Sequence, residues 1–309
     1  MNGLEISRAY YEAFGKEMLH RDFPEWEGRI AAALCGSGSE CFGFDDELSR
    51  DHDFDPGFCL FLPEEDELDR RTAFRLERAY AKLPREFMGC ARPLLSPVGG
   101  SRRGVFRRSE FFLARIGRPD ADLTQEEWLS LPEYALAEAV NGEVFRDDEG
   151  IFSAERAKLL AMPEDIRRRR LASYLLTMAQ AGQYNYPRLI RRGETAAAQL
   201  ALNEFVTAAL HTAFLLNGRY MPFYKWAFRA LRSLPDLSDL EGPLSALLLG
   251  GEGASDGEEK AALAEDVCVR VIGALEERSL TRATCGDMEK HAWSVNDGIG
   301  DPGLRNAPL

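Results

Sequence analysis

The chain has 309 residues, 45% hydrophobic and 29% charged, which fits a folded globular protein with room for two cores. A formal net charge of −13 argues against general nucleic-acid binding, which needs a basic surface, and is compatible with a small cationic substrate. No apolar run reaches the roughly 18 residues a membrane helix needs, and Met1 to Ile6 carry no basic or apolar leader region, so a cytoplasmic protein is expected. The six cysteines (Cys35, Cys41, Cys59, Cys90, Cys268, Cys285) form no Cys-x-x-Cys pair, so reduced buried thiols are expected and zinc is not.

Residues 4 to 20 place Ile6, Tyr10, Phe14 and Met18 at helical spacing, a helix that covers a sheet. Ile30 to Cys35 reads as a buried strand ending in the small-residue turn Gly36-Ser37-Gly38-Ser39. An acidic strand follows, bends at Pro56-Gly57 and resumes at Phe58 to Leu62. A helix is expected over Glu64 to Lys82, with Glu64, Glu65, Asp66 and Glu67 as its solvated first turn. Val98-Gly99-Gly100 marks a loop, and Gly104 to Phe106 a third strand. A brief helix over 110–116, capped by Ser109, follows. Thr124 to Glu127 is a capping box, and Pro132 opens a helix that Asn141-Gly142 closes. Glu143 to Phe145 and the turn Asp147 to Gly150 complete an N-terminal half.

Beyond Ser153 only helices are expected, over 163–182, 194–217, 222–233, 258–279 and 285–294, with a flexible connection at 249–257 and a fraying tail. The fold class is therefore α+β, a mixed-sheet domain over 1–150 followed by an all-helical domain over 151–309.

The chemistry concentrates between residues 36 and 53. Asp51 and Asp53 alternate along a strand, so both carboxylates share a face and suit a divalent cation such as Mg²⁺ or Mn²⁺ with oxygen ligands. His52 points the other way, and Asp55, next to Pro56, suits turn chemistry. A Gly/Ser turn upstream offers N–H groups and hydroxyls to phosphate oxygens. Ser37 or Ser39 as a nucleophile is the lesser reading, because no Gly-x-Ser-x-Gly elbow is present. Candidate phosphate-binding cations are Arg50, Arg102, Arg103, Arg107, Arg108 and Lys225; Arg167 to Arg170 read as a solvated helix face. The aromatics around Lys225, including Tyr224 and Trp226, are expected to pack in a core.

Gly38-Ser39 followed by Ser49-Arg50-Asp51-His52-Asp53 resembles the Gly-Ser…Asp-x-Asp signature of the polymerase-beta-like nucleotidyltransferases. The longer string from Gly36 to Phe54, with Gly142-Glu143-Val144-Phe145 and Arg219 to Trp226, resembles the bacterial family DUF4037. The resemblance implies a fold like that of aminoglycoside-modifying nucleotidyltransferases. It also implies transfer of a nucleoside monophosphate, AMP by expectation, from a nucleoside triphosphate to a hydroxyl acceptor on a small molecule or protein. Asp51 and Asp53 would hold Mg²⁺, and Gly38, Ser39, Arg50 and Lys225 would hold the nucleotide. The superfamily's third carboxylate has no counterpart in Val105 to Arg108; Glu110, Glu143 and Asp147 are the candidates nearby. A non-catalytic nucleotide- or metabolite-binding regulator on the same fold is the alternative.

Overall fold

The spacing of Ile6, Tyr10 and Met18 does bury one side of an N-terminal helical segment, but that segment is not uniform. α1 (Gly3–Tyr10) passes through a π-helical turn, Tyr11–Gly15, into α2 (Lys16–Asp22). The wide turn seats Gly15 against Phe58, where a Cβ would lie 2.4 Å from the ring. The structure is a computed structural model that describes residues 1–47, 56–92, 102–249 and 254–309. It divides into two compact units, Met1–Ala161 and Met162–Leu309.

In the first unit β1 (Ala31–Leu34) and β2 (Cys59–Leu62) pair antiparallel and are buried throughout. α3 (Arg70–Ala81) follows. A small hairpin of β3 (Glu86–Phe87) and β4 (Cys90–Ala91) then turns on Met88 and Gly89, both at positive φ, as a two-residue hairpin turn requires. β5 (Gly104–Arg107) runs parallel to β2 and leads into α4 (Arg108–Ile116), α5 (Gln125–Ser130) and α6 (Glu133–Val140). β6 (Glu143–Arg146) pairs antiparallel with β1, and α7 (Ile151–Leu160) closes the unit. The sheet order is β5-β2-β1-β6.

Alternation along β2 sends side chains to both faces. Phe58, Leu60 and Leu62 join Tyr10, Tyr11, Leu76 and Tyr80 in one core. Phe61 points to the other face, stacked on Phe152 at 4.0 Å and edge-on to Phe111 at 5.1 Å.

The helix expected from Glu64 begins at Arg70 instead, because Asp69 is the residue whose carboxylate reaches a free helix-start amide, that of Thr72, at 2.7 Å. Glu64 is not a solvated helix start. It accepts from the amide and hydroxyl of Ser109, at 3.1 and 2.6 Å, so Ser109 lies inside α4 and is held by an acid from elsewhere in the chain.

In the second unit α8 (Glu164–Met178) continues through a π-helical stretch, Ala179–Asn185, into α9 (Tyr186–Arg191). Gly182 does not break the helix; it makes room for the Phe205 ring, which a Cβ would meet at 2.3 Å. α10 (Thr195–Leu216), α11 (Tyr224–Leu231), α12 (Glu241–Leu249), α13 (Ala254–Glu277), α14 (Met288–Asp297) and α15 (Pro302–Asn306) complete it. No strand occurs here among the described residues. Of the expected 249–257 connection, 250–253 lie outside the described residues and 254–257 belong to α13. No described helix is long and apolar enough to cross a membrane.

Two expectations are corrected here. Arg169 and Arg170 are buried, so the arginine run is not a solvated face. The tail is anchored, not frayed: Arg169 donates to Asn296 Oδ1 at 3.0 Å and to the Ala307 and Pro308 carbonyls. Asp165 accepts from the amides of Gly300 and Asp301 at 3.0 and 2.9 Å.

Candidate functional site

Because β1 and β2 are antiparallel, with Ala33 opposite Cys59, the end of β1 adjoins the start of β2. The turn leaving β1 and the residues entering β2 therefore share one edge of the sheet. β5 and β6 begin at the same edge, with Gly104 opposite Cys59 and Glu143 opposite Leu34.

Arg50, Asp51, His52, Asp53 and Asp55 lie outside the described residues. Their flanks are described, and both are tied to α1. Asp45 accepts from the Gly3 amide at 2.8 Å, at the helix start where a carboxylate is stabilised. One helical turn further, the Ser7 hydroxyl donates to the Gly57 carbonyl at 2.6 Å. The buried Tyr80 hydroxyl then holds both backbone groups of Phe58, accepting from its amide at 3.0 Å and donating to its carbonyl at 2.8 Å.

The Gly/Ser turn is fixed from several directions. Asn141, which follows α6, accepts from the Gly36 amide and donates to the Gly36 carbonyl, both at 2.8 Å, extending the strand pairing with a side chain. Gly142, at φ +68°, lies so close to β1 that a Cβ would sit 1.9 Å from the Leu34 carbonyl oxygen. Gly36, at φ +113°, leaves room for Arg115, whose Nη2 would be 2.7 Å from a Cβ. Gly38 faces the Glu40 carboxylate, 2.5 Å from where its Cβ would be. Ser39 and Glu40 are buried, and Glu40 binds the buried Arg103 at 3.1 Å. Buried charges of this kind persist only when paired.

Three thiols lie at this edge. Burial raises the pKa of all three, pushing Cys35 up to about 11, Cys41 well above its ordinary value, and Cys59 likewise. Protonated thiols are poor nucleophiles, and this cluster packs the turn. Against the expectation of buried thiols throughout, Cys285 is exposed and Cys90 half-buried.

The remaining predicted residues divide by position. Glu110 lies past the far end of β5, where its carboxylate accepts from the Arg107 amide at 2.8 Å and closes the start of α4. Asp147 follows the far end of β6 and accepts from the Ser153 amide at 2.7 Å. Glu143 begins β6 at the same edge as the turn and pairs with Arg8. Arg107 donates to the Pro63 carbonyl at 2.6 Å and Arg108 pairs with Glu67, so neither faces the turn's edge. Among the described residues no group of three or more His, Cys, Asp or Glu could hold a metal ion.

In the second unit, Lys225 is exposed near the start of α11, its Nζ 5.2 Å from the Trp226 ring. The neighbouring aromatics are not all core. Tyr224 is 73% exposed, because Ala227, Ala230 and Leu231 form the buried side of α11.

Sequence reasoning missed Glu40, Arg103's pairing with it, Asn141's grip on Gly36, and Arg115. Glu40 and Asn141 stand inside or beside the motif strings; Arg115 carries no sequence signal.

Residues 128–227 match the model of a family described as Domain of unknown function (DUF4037). That span contains the Gly142 to Phe145 and Arg219 to Trp226 motifs whose resemblance pointed to the same family. A search of curated proteins returns no match. A crystal structure of a nucleotidyltransferase-like protein from Exiguobacterium sibiricum aligns with a TM-score of 0.39 and 12% identity, over 93% of this chain and 81% of that one.

Proposed function

We propose, from the match of residues 128–227 to the DUF4037 family and the geometry of the sheet edge, that the protein is a metal-dependent nucleotidyltransferase. One observation carries the reading. The turn Gly36–Ser39 leaves the end of β1 beside the start of β2, and the residues entering β2 follow the Asp51–Asp53 segment in sequence, so both adjoin a single edge of the sheet. A phosphate-cradling turn and a metal-holding pair of acids need that adjacency to act on one triphosphate.

In this reading Gly38, Ser39 and the turn's amides bind the β- and γ-phosphates, with Arg50 as a further nucleotide contact. Asp51 and Asp53 offer carboxylate oxygens, the donor type Mg²⁺ takes, and are the residues that would hold it. When bound, the cation would offset charge on the transferring phosphorus and the leaving pyrophosphate. The acceptor hydroxyl oxygen forms a bond to the α-phosphorus while that phosphorus loses its bond to the α,β-bridging oxygen. Pyrophosphate leaves with the electron pair, and the hydroxyl proton passes to a carboxylate. Of the three acids weighed for that proton, Glu143 alone begins at the turn's edge; Glu110 and Asp147 serve helix starts at the far edge.

A second reading, a nucleotide-binding regulator without transfer, is favoured by one feature: β5, beside β2, carries no acid, and just before it Arg103 binds Glu40 of the turn. Pyrophosphate release separates the two. The protein, MgATP labelled at the α-phosphate and a panel of aminoglycosides, lincosamides and the protein itself would give labelled product for a transferase. No product with any acceptor, alongside tight metal-dependent ATP binding, would leave the regulator.

A further inference from the structure

Arg115 stands out among the partly buried cations of the first unit. It extends from α4 with its side chain 19% exposed, over the face of Phe111 at 5.1 Å. Among the described residues its ion-pair partner is Glu138, 3.7 Å from Nε and beyond hydrogen-bond length. Among the described residues Nε has no hydrogen-bond partner. A guanidinium carries five donors and stays charged, so one held this way favours any anion that can reach it.

Its position gives that preference a direction. Nη2 lies against Gly36, closer than a Cβ would allow, so the guanidinium is packed on the backbone of the turn itself. The Cys35 thiol, next in the chain, feels the positive charge of both Arg115 and Arg156, whose effect is to lower its pKa against the larger effect of burial. The buried arginines here are committed: Arg103 to Glu40, and Arg156 to the carbonyls of Val140 and Asn141. Arg115 differs: among the described residues its guanidinium makes no hydrogen bond and only a 3.7 Å ion pair with Glu138.

We propose that Arg115 is a phosphate-binding residue, its guanidinium and the Gly36–Ser39 turn together taking a terminal phosphate of a polyphosphate chain. The inference rests on the nucleotidyltransferase reading for its nucleotide, but the anion site itself does not. Planar forks bind phosphate oxygens in pairs, which a point charge cannot reproduce. Arg115 then sets a preference for triphosphate over monophosphate, and Gly36 is glycine because the fork needs its space.

The test is calorimetry on the full-length protein, with Mg²⁺, using ATP, AMP and inorganic tripolyphosphate as separate titrants. Arg115→Met is expected to weaken ATP and tripolyphosphate binding by about tenfold or more while leaving AMP within about twofold. Arg115→Lys, which keeps the charge, is expected to recover part of that loss, and serves alone if the methionine variant does not fold. Wild-type affinity for tripolyphosphate in whichever variant folds would overturn the proposal, as would an equal loss for AMP. If the wild type binds tripolyphosphate but no nucleotide, the nucleotidyltransferase reading fails and the anion site stands. If it binds neither, both fail.

Discussion

The Glu40 carboxylate and the Arg103 guanidinium meet at 3.1 Å, 63 residues apart in sequence, with side chains 3% and 7% exposed. The pair joins the Gly/Ser turn after β1 to the start of β5, two of the elements at the site's edge. Removing one member takes a buried charge partner from the other. Arg103→Met or Glu40→Gln alone should cost about 3 kcal/mol or more, the usual consequence of breaking a buried ion pair. Urea unfolding of both single variants and the double variant checks this. The double variant should lose less than the two singles added together.

Gly142→Ala should be among the most damaging small substitutions in the chain. It places a Cβ 1.9 Å from the Leu34 carbonyl oxygen and forces a positive φ on alanine. A loss of about 3 kcal/mol or more is expected, from strain and overpacking together. Gly150→Ala, at a nearly identical φ of +70° with nothing within 4 Å, isolates the backbone term and should cost only about 1–2 kcal/mol. Thermal melts of the two side by side separate the contributions.

The buried thiols give a pH signature. Cys35 titrates near 11 in the folded chain, and burial raises Cys41, Cys59 and Cys268 as well. In the unfolded chain such thiols lose their protons near pH 8.5. Below that value their contribution is fully present. As pH rises toward 11 the unfolded state binds fewer protons than the native state, so stability falls. Denaturant midpoints between pH 8 and 11 should decline, and less steeply in Cys35→Ala. At pH 8 a thiol reagent should modify exposed Cys285 readily and half-buried Cys90 more slowly, with the other four reacting only on unfolding.

Arg169→Ala should release the C-terminal segment. Its guanidinium bonds to Asn296, Ala307 and Pro308, so the variant loses the clamp and takes the donor from the buried Asn296 amide oxygen. Amide exchange across α15 should rise well above wild type, with a global loss of about 1–3 kcal/mol. Unchanged exchange would mean that the Asp165 contacts suffice.

The local features were legible. The Thr124 capping box forms, Asn141-Gly142 ends α6, and the apolar run before Gly36 is the buried strand β1. Each depends on residues a few positions apart. What the sequence did not disclose depends on long-range pairing. Nothing near Glu64 says that its carboxylate belongs to Ser109, and nothing near Arg115 says that α4 aims it at Gly36. The arginine run misled for the same reason: periodicity puts arginines on every side of α8, but only the fold decides that Arg169 meets the tail. Dense aromatics from Tyr220 to Trp226 read as core, while α11 buries its alanines and leaves Tyr224 outside.

The central claim is that the edge carrying Gly36–Ser39 and receiving Asp51 and Asp53 holds a metal-bound nucleoside triphosphate. Calorimetric titration of ATP into the protein, with Mg²⁺ and then with chelator, tests it most directly. Binding should require the metal and disappear in Asp51→Asn and Asp53→Asn, with melting temperatures unchanged or higher. Equal affinity for ATP with and without metal, or full binding by both variants, would contradict it.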